Sequence, residues 1–397
     1  MPVPFSAAPA PSTPLGPFED SAVTWTTWVA LMGFVGLVAL ALVVARPAGR
    51  AGALAAVTSR LAGVAALLGL LAVPAVLADL AHGASESGGY DWGAAWDSLY
   101  DGSNAGRLSG LEVTLIVVGA VLVAPLVVRR AAESRLRPWL LGFGLAAGVV
   151  ALGTTKFPDE KPAAGEWGRT VFETVMWMLH LLGGAVWAGG LIGLLLIALP
   201  GGLPAAGRGT FWSPAIRRFS IAAMSCVAAI ALSGLFLYWE HVDGPGQLFT
   251  TMYGKVLGVK ILIFGLLLVL GVVNQFVLHP RIEALRAAGD DRPLRTVLVR
   301  QFPVTVAAEV ILILAVLMVA PFLHGSARNQ AYQADLAKHL PATASTDDLP
   351  KLAQKDVSTS TWVYGTLETV AVVGVLAGAY RVSGQVARRR TGRTATA

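Results

Sequence analysis

Long apolar runs, separated by short polar joints, make up most of this chain. Nine of them approach the roughly 20 residues that cross about 30 Å of hydrocarbon as a helix. They lie near 23–44, 61–81, 108–128, 139–152, 171–199, 219–239, 256–278, 302–323 and 361–380. The fourth is the shortest, and the fifth is long enough to tilt or project. Within each run one apolar residue follows another, without the strict alternation of a barrel strand. The pattern predicts an all-α polytopic transmembrane helix bundle of about nine spans.

Composition agrees. Apolar residues make up 55% of the 397 and charged residues 14%, against roughly 25% in a soluble domain. Mean hydropathy is +0.65. This excludes a disordered chain and a nucleic-acid binder, and makes membrane lipid the surrounding partner. The single Cys226 excludes an internal disulfide or a CxxC motif, and is read as a small core residue. The first 22 residues hold no Lys or Arg, so they do not read as a secretory signal; the first run is expected to stay as an anchor.

Charge placement orients the spans. Joints 45–60, 129–138, 200–218, 279–301 and 381–397 carry 20 Lys and Arg together. The alternate set, 1–22, 82–107, 155–170, 240–254 and 324–360, carries 8. Basic joints stay in the cytoplasm, which puts the N-terminus outside and the C-terminus inside a bacterial cytoplasmic (inner) membrane. Trp25, Trp28, Trp167, Trp239 and Trp362 fall near expected outer ends and read as an aromatic belt. Loop 82–107, with Tyr90, Trp92 and Trp96, can fold back on the interface. Loop 324–360 is expected to be partly helical near 330–340. The chain divides into 1–160 (four spans and loop 82–107), 161–323 (four spans), and 324–397 (outer loop, last span and basic tail).

Ionisable residues within a bilayer cost roughly 3 kcal/mol each, so each is a functional candidate. The acids in or beside spans are Asp79, Glu112, Glu173, Glu309 and Glu368, and all but Glu309 fall in the expected outer half. His82, His241, His324 and His339 lie at outer ends or loops, and His180 lies inside the fifth span. A site that loads a cation from outside needs this asymmetry. Asp79 and His82, at i and i+3, share a helix face. Glu173, Met176, His180 and Trp187 share another. Met176 and His180 pair a thioether with an imidazole, which suits copper, above all Cu(I). Gly183, Gly184, Gly189 and Gly190 follow and permit close approach of another helix. His180 has three readings: a metal or haem ligand, a hydrogen-bonded core residue, or a proton relay. Glu309 needs a partner or a proton; Arg218 and Arg300 are candidates for an ion pair, and an ion or proton path is the alternative. Lys260 can snorkel outward or pair with Glu240 or another acid.

From His180 to Glu309 the chain resembles the copper resistance D (CopD) family of bacterial inner-membrane proteins. The resemblance rests on His180-Leu-Leu-Gly-Gly-Ala-Val-Trp187-Ala-Gly-Gly190, Arg218-Phe219-Ser220, Ser233-Gly234, Thr250-Thr251-Met252-Tyr253-Gly254-Lys255 with Lys260, Asn274, Pro280-Arg281 and Glu309. It implies copper handling across the cytoplasmic membrane, often uptake, with a periplasmic CopC-like copper-binding partner as a separate chain. Many relatives carry Gly-His where this chain reads Gly153-Thr154-Thr155, a departure that bears on metal binding.

Three functions follow. One is copper import or transfer from an outer-face site of His82, Asp79 and His241 to His180 and Met176, with Glu309 further in. Another is a b-type haem protein passing electrons, which needs a second axial histidine such as His82, His241 or His324. The third is copper delivery or oxidase assembly without transport. No P-loop or phosphorylated-Asp loop is present, so an enzyme is not expected.

Overall fold

The computed structural model describes residues 18–45, 51–85, 89–162, 165–199, 201, 203, 208–278, 281, 284, 301–323, 325–339, 350, 352–353, 355 and 359–394. The regular structure they form is helical. Apolar surroundings offer the backbone no hydrogen-bond partners, so each crossing segment satisfies its own N–H and C=O groups as a helix.

Helix α1 is Phe18–Ala39 and closes in a π-helical turn, Leu40–Ala45. Next come α2 (Ala51–Gly83), α3 (Trp92–Ser98), α4 (Asn104–Val123), α5 (Arg129–Glu133) and α6 (Arg137–Thr154). Helix α7 (Trp167–Ala198) is followed by α8 (Arg208–His241) and α9 (Gln247–Thr250). Helix α10 (Met252–Val273) ends in a second π-helical turn, Asn274–Leu278. The chain finishes with α11 (Gln301–Val319), α12 (Ala327–Ala337) and α13 (Thr359–Thr394). Below, the upper end means the end at which α1 begins.

Starts between spans are set by short polar side chains. Ser103, Thr251 and Ser326 accept from the N–H groups of Gly106, Gly254 and Asn329, so α4, α10 and α12 begin with a donor satisfied. The expected helix near 330–340 is α12. Loop 82–107 holds α3, with Tyr90 stacked on Trp92 and both Trp92 and Trp96 exposed.

Eight helical stretches among the described residues are long and apolar enough to cross a membrane, and the chain is a multi-pass membrane protein. The ninth expected span lies in α13, where the described apolar stretch, Val363–Val375, is shorter. Outward faces remain apolar. Val259, Ile261, Leu262, Leu266, Val269 and Val272 of α10 are all exposed, a surface that lipid covers and water does not tolerate.

Helix α7 packs against α1, α8 and α11. Its glycines act as the sequence suggested. A methyl group at Gly189 would lie 2.5 Å from the Gly36 Cα of α1. At Gly183 it would meet the Cys226 carbonyl of α8 at 3.1 Å, and at Gly190 the Phe219 ring at 2.2 Å. Cys226 is a buried free thiol, as expected. Trp25 departs from the aromatic-belt reading: its Nε1–H donates to the Leu314 carbonyl at 3.1 Å, tying α1 to α11.

Candidate functional site

The expected ligands occupy separate stations. Among the described residues no three His, Cys, Asp or Glu side chains converge on one metal-sized point.

The first station joins the upper ends of α1, α2 and α4. Thr24 donates to Asp79 at 2.8 Å, and His82 Nε2 reaches Asp20 at 2.5 Å. The His82 ring meets Tyr90 edge-on, 5.6 Å between centroids. Glu112 lies close enough for the Asp79 charge to act on it. Asp79 and His82 share a face, as their spacing required, but each turns to a partner on α1. Asp20 and Thr24 were visible as polar positions four apart at the head of an apolar run. Nothing in the sequence said which helix they would meet.

The second station is His180, in the middle of α7. Its Nδ1 lies 3.1 Å from Ser233 Oγ on α8. Ser233 donates its own proton to the Ala229 carbonyl at 2.6 Å, so its oxygen accepts from Nδ1–H. The Ile230 backbone, on the same turn, also hydrogen-bonds the imidazole. These contacts orient the ring, and with Nδ1–H on Ser233, Nε2 faces away from that bond. Gly234 lies beside the ring; a methyl there would make ordinary van der Waals contact with His180 Cε1 at 3.6 Å. Met176, one turn above on the same face, is half-buried. Lys260, on α10, makes no ion pair among the described residues, and its charge acts on His180. Neither Glu240 nor another described acid pairs with it.

Glu173 and Trp187, the ends of the same stripe, have other occupations. Trp187 is buried and packs edge-on to Phe264 of α10. Glu173 acts on Lys156, just past the end of α6. The Lys156 ammonium sits 4.6 Å from the Trp177 ring centre. Burial holds its pKa below the usual lysine value, and the Glu173 charge pushes it partly back. Trp177 in turn meets His180 edge-on at 6.4 Å, so Lys156 borders the site although the sequence reading passed over it. Gly153, where relatives place the residue before their histidine, packs against Met178 of α7.

The third station closes the upper ends of α7, α8 and α10. His241 Nδ1 donates to the Leu237 carbonyl at 2.8 Å, and its ring stacks on Tyr253 at 5.8 Å. Around it runs a charged strap. Arg169 donates to Glu240 at 2.7 Å and to the Lys355 carbonyl at 3.1 Å. Lys355 reaches the Trp239 carbonyl and the Asp243 carboxylate, and Arg328 also holds Asp243. The Glu240 side chain is 10% exposed. Arg169→Met strands it, at a cost of about 2 kcal/mol, seen as a lower melting temperature in detergent.

The fourth station is Glu309 on α11, 3% exposed. Its partner is Asn274, the first residue of the α10 π turn. Of the two arginines considered for an ion pair, Arg218 is exposed, and Arg300 lies outside the described residues, as does His324. Glu309 Oε2 and Asn274 Oδ1 are both buried without a hydrogen-bond partner.

Comparison with known proteins bears on the stations from α8 onward. Residues 213–323 match the family model for copper resistance protein D. This stretch is similar to the CopD family. It carries Ser233, His241, Lys260, Asn274 and Glu309, and His180 lies ahead of it on α7. The chain is also 28% identical over 199 residues to "Copper transport protein CutJ" of Bacillus subtilis (strain 168). That match covers 48% of this chain and 34% of the relative, so the chain spans about a third of the relative's length. No solved structure matches.

Proposed function

We propose that this chain passes copper across the cytoplasmic membrane of a bacterium, taking it in from the outer face, with His180 as the intramembrane station. The observation that carries the reading is the His180–Ser233 contact. A metal-binding histidine is held by a hydrogen bond at its other ring nitrogen, which sets tautomer and orientation. Ser233 supplies that bond and leaves Nε2 as an oriented, borderline-soft ligand, with the Met176 thioether one turn away. Imidazole and thioether suit copper better than hard cations, which ask for oxygen.

The basic joints place the upper end outside. Asp79, Asp20 and His82 then form a cation-attracting rim, and a separate CopC-like copper-binding chain would load it. Lys260 has a clear part here. Its ammonium opposes a cation at His180, and conduction needs binding weak enough to release. Lys260→Met therefore retains copper more tightly and passes it more slowly, measured by chelator competition and by stopped-flow uptake.

The test of the whole reading is copper uptake by the purified chain in proteoliposomes, with copper and iron per chain measured in parallel. Uptake above empty vesicles supports it. Bound copper without flux points instead to delivery or assembly, and iron at one per chain points to haem.

A further inference from the structure

The Glu309–Asn274 pair has a defect that one proton repairs. Asn274 is joined to the Glu309 side chain by a hydrogen bond, in which its amide N–H donates to a carboxyl oxygen. That leaves Glu309 Oε2 and Asn274 Oδ1, two acceptors, buried with no donor. A buried acceptor without a donor costs roughly 1–3 kcal/mol, and more when it is charged. A proton on Oε2 removes the charge, and it converts one orphaned acceptor into a donor suited to the other. Carboxyl and amide can then pair through both edges. A hard metal cation would ask for about six oxygens, and two are on offer.

Among the described residues no charge is shown acting on the Glu309 carboxyl. Helix α11 packs against α1, α7 and α10. The titratable groups on those helices are Glu19 and Asp20, Arg169, Glu173 and His180, and Tyr253, Lys255 and Lys260. Among the described residues, burial and Asn274 are what act on the carboxyl. A second observation marks the place: Asn274 opens a π turn, and π turns occur frequently at functional sites.

We propose that Glu309 and Asn274 form a proton-holding site inside the membrane, the carboxyl carrying the proton and the amide oxygen receiving its hydrogen bond. Loading is the reaction of a carboxylate with a proton from water, and release is its reverse, so no co-reactant is needed. Coupling of this proton to copper movement rests on the function proposed above; the site itself does not.

Infrared difference spectroscopy on the full chain in copper-free proteoliposomes tests it. A protonated-carboxyl C=O band is expected at neutral pH, absent in Glu309→Gln and displaced in Asn274→Leu. Glu309→Gln, whose amide mimics the protonated acid, keeps or raises the melting temperature, and Asn274→Leu lowers it. A spectrum with no band dependent on Glu309 overturns the proposal, as does a band that sodium abolishes at fixed pH. Should Glu309→Gln fail to fold, the displacement in Asn274→Leu still decides. With copper outside, Glu309→Gln is expected to keep flux and lose at least half of its dependence on a pH gradient; an unchanged dependence overturns the coupling. Wild-type vesicles that show the band but take up no copper leave the proton site standing and remove the copper reading.

Discussion

His180→Ala empties the chain of copper and leaves the bundle folded. The imidazole is half-buried, and its only described polar contacts are to one turn of α8. Truncation removes the candidate ligand, while Ser233 keeps its own bond to the Ala229 carbonyl. Ser233→Ala provides the finer test. It leaves His180 in place but deletes the acceptor that holds Nδ1–H. Loss of such an orienting partner weakens metal binding by roughly 10–100-fold. Copper per chain after gel filtration and a Cu(I)-chelator titration report both variants. Melting temperatures near wild type are the companion result. Copper content unchanged in His180→Ala would remove His180 from the pathway.

Gly36→Val prevents folding. Helices α1 and α7 cross with backbone on backbone: a Cβ at Gly36 would lie 2.0 Å from the Ala185 carbonyl oxygen and 2.7 Å from Gly189 Cα. No side chain can swing aside there, so the helices must separate. The strain and lost packing amount to at least about 3 kcal/mol, near the upper range for overpacking. Without a hydrophobic drive between helices in lipid, close packing holds them together. Gly142→Ala is the control. It lies mid-helix in α6 with open space around its Cα, and is expected to be neutral or to stabilise by up to about 1 kcal/mol. The monodisperse fraction in mild detergent separates the two.

The spans were legible because the bilayer imposes one length and one chemistry on any helix that crosses it. Helix α6, the shortest expected span, is helical over Arg137–Thr154, and the small-residue stripe of α7 meets α1 and α8 where expected. Helical spacing also put Met176 and His180 on one face correctly. Pairing across helices was not legible. Asp79 and His82 looked like partners on one face, yet they bond Thr24 and Asp20 on α1. Glu309 called for a partner, and among the described residues Asn274 hydrogen-bonds it. Spacing along a helix fixes which side chains are neighbours on it. Which helix stands opposite depends on crossing angles that only the assembled bundle sets.

The π turn at Asn274–Leu278 has a genetic consequence. Such a turn is an α-helix with one residue inserted, and it shifts everything after it by about a quarter of a revolution. A single-residue deletion anywhere in 275–278 would restore a regular helix while leaving Asn274 in the sequence. A chain one residue shorter here would keep Asn274 in place on α10 and turn the residues that follow it onto a different face. In this part of the chain, a change in length carries more meaning than a change in letter.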